Sequence, residues 1–507
     1  MYKIFTPVLL ASLLSYVAFA QHGIDPAWSA DVELPVPPGS SSARGFLYSN
    51  IGVFSNGKRI VFLSNTDNPG DPVYYTYSYD GVSWSTPQPF AAVSLVIGLN
   101  SPKIMVDHND KLHVVWNSKA PQALFYSQMD SALNMVIDTA RISDQPMYGI
   151  YNGVYPAIDR KNRLHVMWHE GKVGSDVTEV FYSRSLDGGL TWSPRDSLSV
   201  HDGLSSAFPR GQYNAYDGDS LAILWRDTST VRSDDWDIHM VVSQNGGATW
   251  SAPVVINKSS AFQGDPDLVI DPQGRFHLFY HEAPASDPYW GIRIMYGYSD
   301  DLGTTWQPSA TFTPISNNQR SYLAEGSRYD TQNDVLWTFW KEEDMLGLKG
   351  GDMMAAYSTD RGLTWSTPEY ITDRGETSIG FKAVALLPNG GLAVNYELPN
   401  YPATGQVRVF YKERQPLDVV TGLDAERPIA KPVIYPNPAW DLLTVDLAGQ
   451  AAREIILMTA AGRVVRKQKP LGQARPVQFN LQGMGSGLYL LKIVYADKIV
   501  TAKVIKQ

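Results

Sequence analysis

The 507-residue chain contains no cysteine. Disulfides and a lipid anchor on Cys are therefore excluded, and stability has to come from packing. Histidine is scarce, with 9 unclustered copies, so no structural zinc site is indicated. Basic tracts are missing as well. Lys and Arg number 42 against 51 Asp and Glu, a net charge of −9. That balance argues against nucleic acid and anionic polysaccharide as bulk electrostatic partners, though a local Arg cluster can still recognise one acidic sugar. There is no GxSxG elbow and no phosphate loop. Beyond the first 20 residues no apolar run approaches the length of a membrane span.

What the chain has in abundance is self-similarity. Ser185-Leu-Asp-Gly-Gly-Leu-Thr-Trp192 recurs as Ser243–Trp250, Ser299–Trp306 and Ser358–Trp365, with a shorter copy at Ser78–Trp84. The last four tryptophans, Trp192, Trp250, Trp306 and Trp365, are 58, 56 and 59 residues apart. A fixed period of this length marks a repeat architecture. The residue types suit a tight hairpin: a short acid to accept backbone N–H groups, hydroxyls that do so more weakly, a Gly for positive φ, and a Trp to cover the turn. Asp80, Asp187, Asn245, Asp301 and Asp360 are accordingly read as structural turn residues. One catalytic centre does not need the same turn copied around a fold.

A second repeat runs through seven units. Each has an apolar strand, a polar turn such as Ser55-Asn-Gly57 or Pro272-Gln-Gly274, and a second strand such as Leu164-His-Val-Met-Trp168 or Phe276-His-Leu-Phe-Tyr280. His113, His165 and His277 sit at one place in three of these strands and are expected to pack within the units. A third strand follows, and the Ser-x-Asp turn leads into a fourth. The seventh unit stops after three strands. Its missing strand is expected from Trp28-Ser-Ala-Asp-Val-Glu-Leu34, closing a ring without long exposed edges. The Ser-x-Asp-x-Gly-x-Thr-Trp pattern resembles the Asp box of the sialidase-like propellers. The expectation is an all-β fold: a seven-bladed (alternatively six-bladed) Asp-box β-propeller at residues 21–413, followed by a small Ig-like β-sandwich.

Both ends read as address labels. Residues 1–20, with Lys3, the run Val8–Leu14 and Ala18-Phe-Ala20, fit a secretory signal peptide cleaved before Gln21. Residues 414–432 read as a linker. Ile434-Tyr-Pro-Asn-Pro438, Asp441-Leu-Leu-Thr-Val445, Gly487-Leu-Tyr-Leu-Leu491 and the basic end Lys503–Gln507 resemble the C-terminal sorting domain of the Bacteroidetes type IX secretion system. The resemblance spans residues 433–507. It implies export through the periplasm and outer membrane, with the type IX machinery as a partner and the propeller as cargo on the cell surface or outside.

In Asp-box propellers the ligand face lies opposite the boxes. That face carries two sets of loops here. The first includes Asp67, Asp71, His169, Glu170, Arg226, Asp227, Trp236, His281, Glu282, Trp290, Lys341 and Glu342, and the second Arg210, Asp265, Arg320 and Tyr322. Carboxylates with aromatic platforms suit a glycan, because acids deliver protons to glycosidic oxygens and accept sugar hydroxyls. Asp67, Asp71 and Glu342 are the candidate catalytic acids. Arg210, Arg320, Asp265, Glu282, Trp290 and Tyr322 are the candidate substrate-binding residues. No metal and no cofactor are implied, and a monomer is expected.

The resemblance to sialidases implies an Asp acid/base, three carboxylate-binding arginines and a Tyr nucleophile. Asp67 or Asp71 falls where that Asp belongs. Phe381 occupies the late Tyr position and has no hydroxyl, and the early Arg motif is displaced. The reading is thus a secreted or surface propeller that binds or degrades a glycan or glycoconjugate. The alternatives are a non-catalytic propeller that binds protein, an exo-α-sialidase, or a polysaccharide lyase. A lyase would pair His169 or His281 with Arg210.

Overall fold

The computed structural model describes residues 24–45, 50–64, 73–90, 102–119, 122–143, 153–171, 177–213, 219–228, 236–257, 261–283, 292–307, 310–312, 319–323, 326–344, 351–373, 380–398, 405–417, 433–435, 437–447, 452–459, 463–469, 477–494 and 499–507. The expected signal peptide and most of the expected linker lie outside them. Two compact units emerge, residues 1–417 and 418–507.

The first unit is a β-propeller. Among the described residues, seven antiparallel sheets follow one another along the chain. Blade 3 shows the pattern: Val154–Ile158, Leu164–Gly171, Thr178–Ser185 and Asp196–Ser197, paired in that order. The innermost strand of each blade packs on that of the next, and the innermost strand of blade 7, Gly380–Leu386, packs on that of blade 1, Ile51–Val53. Val32–Glu33 supplies the outer strand of blade 7 by pairing with Tyr411 and Phe410. Both sheet faces are covered by neighbouring blades, so the second strands are buried along most of their length, as Phe276–Ala283 is at every position. Among the described residues, seven separate apolar clusters result, one at each joint between blades.

The repeated turns explain how the joints hold. In Ser185–Trp192 the Ser185 hydroxyl donates to Asp187 at 2.8 Å, Asp187 accepts the Thr191 N–H at 2.9 Å, and the Trp192 indole donates to the Gly189 carbonyl at 3.2 Å. Asp80, Asn245, Asp301 and Asp360 accept the corresponding bonds in their own turns. Each turn also reaches the preceding blade. Four of the five tryptophans pack edge-on against a Tyr of that blade's third strand: Trp192 on Tyr126, Trp250 on Tyr182, Trp365 on Tyr296 and Trp84 on Tyr411, with centroids 5.6, 4.9, 5.3 and 4.8 Å apart, while the Ser299–Trp306 turn meets Met240. The last of these pairs ties blade 1 to blade 7.

The recurring histidines lie within the blades. His165 has Nδ1 2.7 Å from the Tyr182 hydroxyl and Nε2 3.1 Å from Asp159. His277 bridges Tyr296 and Asp271 in the same way at 2.9 and 3.3 Å, and His113 Nδ1 lies 2.7 Å from the Tyr126 hydroxyl.

The second unit has a three-stranded sheet (Val433–Tyr435, Leu442–Asp446, Val477–Asn480) and a four-stranded one (Glu454–Thr459, Val464–Gln468, Gly487–Val494, Ile499–Lys506). Leu443, Val445, Ile455, Leu457, Phe479, Leu491 and Val504 share its core. That is a small sandwich.

Candidate functional site

Antiparallel pairing sends the loop ends of the second strands to the propeller face opposite the repeated turns. One position there recurs. The residue after the second-strand aromatic is His169 after Trp168, Arg226 after Trp225, and His281 after Tyr280; in blade 6 it is Lys341 after Trp340. The strand partners of Arg226 and His281 are Ala207 and Gly264, and the His169 N–H donates to the Gly153 carbonyl. Small residues opposite leave room for the long polar side chains.

Two β-bulges shape the surroundings. In blade 4 the pairing skips Phe208-Pro209, and in blade 5 it skips Asp265-Pro266. Phe208 and Asp265 take left-handed φ values of 54° and 44°. Bulges of this kind re-aim side chains and cluster near functional sites. Here they bring Phe208 and Asp265 to the same side as Arg226.

The Arg226 guanidinium lies 4.1 Å from the Phe208 ring centroid and 4.7 Å from that of Trp236. Its Nη1 is 4.0 Å from Asp265, whose other oxygen is 3.4 Å from His281 Nδ1. Arg210 stacks on Tyr155 at 3.6 Å. Burial pushes the Asp265 carboxyl up, but His281, Arg226 and Arg210 outweigh it and hold the group well below the usual carboxylate range. The side chain still keeps 35% exposure. It is therefore ionised, closely surrounded and open to solvent on one side. His169 is buried, and burial together with the Arg226 and Arg210 charges lowers its pKa to about 4. Among the described residues no group of three or more His, Asp or Glu is arranged to hold a metal ion.

The expected site residues divide. Arg210 and Asp265 come together, but Arg210 is only 3% exposed, so solvent reaches Arg226 instead, at 21%. Glu282 is buried and bonded to Arg293. Because neighbours along a strand face opposite sides, Glu282 points away from His281. Glu342 accepts the Trp340 indole N–H at 3.1 Å, as Glu170 and Asp227 accept those of Trp168 and Trp225 at 3.1 and 3.0 Å, so it is one of a repeated set of blade braces. Arg320 and Tyr322 lie on Gln319–Leu323 opposite Glu343 and Lys341, and their side chains lie outside the described residues, as do Asp67, Asp71 and Trp290 altogether. Tyr155 and Phe208 were not anticipated. Their only signal is a following Pro within an inner strand.

Residues 433–507 match the secretion system C-terminal sorting domain. This segment directs the protein to the cell surface or beyond. Among the described residues no helix is long and apolar enough to cross a membrane. No curated protein matches the chain. Several solved structures do. The polysaccharide lyase Uly1 is 12% identical with a TM-score of 0.52, over 77% of this chain and 99% of its own. A polysaccharide lyase of family PL25, an ulvan lyase, is 10% identical with a TM-score of 0.51, over 73% and 94%. The same lyase bound to -[GlcA(1-4)Rha3S]- gives 10%, 0.50 and the same coverage. At these identities the likeness is one of fold.

Proposed function

We propose that the propeller is an exported enzyme that binds an acidic polysaccharide and cleaves it by β-elimination at a uronate. The observation that carries this is the Asp265–His281 pair with the Arg226 guanidinium beside it. A carboxylate at Nδ1 fixes the neutral imidazole with its proton there and its lone pair on Nε2, the form a general base needs. In the step inferred, His281 Nε2 takes the C5 proton of the uronate. The C5–H electron pair becomes the C4=C5 double bond, the C4–O bond breaks, and the departing sugar oxygen takes a proton from the imidazolium or from water. Arg226 neutralises the uronate carboxylate, where charge builds as the proton leaves. Phe208 and Trp236 both lie against the guanidinium and fix its position. Arg210, stacked on Tyr155, adds positive field.

Hydrolysis instead needs two carboxyl groups about 5–9.5 Å apart on either side of the bond. Of the expected catalytic acids, Glu342 is held by the Trp340 indole, and Asp67 and Asp71 lie outside the described residues; the expected substrate-binding Glu282 is held by Arg293. The solved lyase that carries a GlcA-containing ligand supports a uronate as a sugar that this fold can accommodate. With a net charge of −9, recognition has to be local, through the Arg226 guanidinium.

The test is incubation of the full chain with uronate-containing and neutral polysaccharides, followed by the ultraviolet absorbance of the new double bond. Product is expected from the uronate polymers alone. Arg226→Ala should lower kcat/KM about 10²–10³-fold, with Arg226→Lys intermediate. No absorbing product from any uronate polymer would overturn elimination, and no binding would overturn the acidic glycan as ligand.

A further inference from the structure

His169 shares the repeat position of Arg226 and His281 but faces a different partner. Its Nδ1 accepts the backbone N–H of Phe208, in the next blade, at 3.1 Å. The imidazole lies against Gly153, where a Cβ would overlap the ring, and its centroid is 5.0 Å from that of Phe208. The space is shaped around this one contact.

Phe208 needs such a contact. A bulky residue at φ 54° is strained and persists only where its surroundings hold it. The bulge removes it from the strand ladder, and Pro209 next to it has no N–H, so the Phe208 N–H is the donor at that corner. The corner in turn sets both guanidiniums. The Phe208 ring supports Arg226, while Arg210, two residues on, bonds back to the Pro209 carbonyl at 3.1 Å and lies over Tyr155.

We propose that His169 is a positioning residue: by accepting the Phe208 N–H it holds the left-handed corner that presents Arg226, backed by Arg210, to an anionic sugar. The role in sugar binding rests on the function proposed above; the hold on the corner does not. With Nδ1 taken as acceptor, the neutral ring carries its proton on Nε2. His169 and His281 therefore use opposite tautomers, the first to fix backbone and the second to act as base.

The experiment compares His169→Leu, His169→Gln and His169→Asn in the full chain. Asn retains an acceptor at the depth of Nδ1, Leu has none, and Gln carries its amide further out. Hydrogen exchange of the peptide covering residues 204–213 should quicken on the order of tenfold in the Leu and Gln variants, stay near wild type in Asn, and leave other blades unchanged. Affinity for a polyuronate oligosaccharide should fall about tenfold in the same two variants and be rescued in Asn. If Leu prevents folding, the Gln–Asn comparison decides. Unchanged exchange at 204–213, or exchange raised equally in every blade, overturns the positioning role. A wild-type protein that binds no polyuronate overturns the acidic-glycan reading instead, and the exchange comparison still judges His169.

Discussion

Gly247 meets two demands at once. It takes φ +75° in its turn, and a Cβ there would overlap the Tyr182 hydroxyl of the preceding blade. Gly39 offers a matched reference, with φ +78° and open space around the site of its Cβ. Ala at either position strains the backbone, by about 1 kcal/mol. Only at Gly247 must the neighbouring blade also move, and overpacking of that kind adds about 1–3 kcal/mol. Gly247→Ala is therefore expected to lower the melting temperature well beyond Gly39→Ala. Equal shifts would show that the turn matters for its backbone alone and not as a joint between blades. The same comparison separates the two meanings of the repeated motif. Its acid and hydroxyls fold the hairpin, while its Gly and Trp face the blade before it.

The elements were legible in the sequence to the degree that their chemistry is local. Seven hairpin turns, and a terminal aromatic in six of the second strands, mark the units, because turn residues and buried aromatics act within one blade. The joints were hidden, since Trp192 meets Tyr126 across 66 residues of chain. Arg210 and Asp265 could be chosen as polar residues on the ligand face, yet their surroundings could not. A bulge inserts a residue into a period-two strand, so Phe208 reads as core in any regular register. Glu282 and Glu342 looked available because the braces that hold them, Arg293 and the Trp340 indole, are invisible without the pairing of strands.

Ring closure is the element most exposed to a single change. Glu369, in the outer strand of blade 6, accepts the Trp28 indole at 3.0 Å and two bonds from Arg414 at 2.8 and 2.6 Å. It joins the N-terminal segment, blade 6 and blade 7, with the Glu and Arg side chains only 8% and 6% exposed. Removing one partner leaves a buried charge unpaired, which costs about 3–5 kcal/mol. Glu369→Ala should shift the denaturant midpoint by that order, whereas Glu369→Gln, which keeps an acceptor for the indole, should shift it less. Equal, small shifts for both would mean that the segment from Trp28 to Leu34 closes the ring by strand pairing alone.

At the scale of the molecule, burial inside and between blades sets the pH range in which the propeller holds. His165, His169 and His277 all have lowered pKa values, with burial as the first cause in each. The unfolded chain therefore binds more protons than the folded one once pH drops below about 6.5, and stability falls from there on acidification, by about 1.4 kcal/mol per pH unit for each histidine so linked. Asp159 and Asp271 continue the trend. Burial raises them, but His165 with Arg163, and His277 with Arg361, hold both below the usual range, so their contribution is present above about pH 4 and lost below it. On the alkaline side Tyr126, Tyr182 and Tyr296 are pushed up, chiefly by burial, and the unfolded chain loses their protons first, from about pH 10. Stability should thus be flat between about pH 7 and 9.5 and decline on both sides. Melting curves at pH 8, 6, 5 and 4 check this. His277→Gln should flatten the slope between pH 6.5 and 4.5 at some cost in stability at pH 8. A melting temperature constant from pH 8 to pH 4.5 in the wild type would mean that these histidines are already as hard to protonate in the unfolded chain, and that their burial is not what limits the fold in acid.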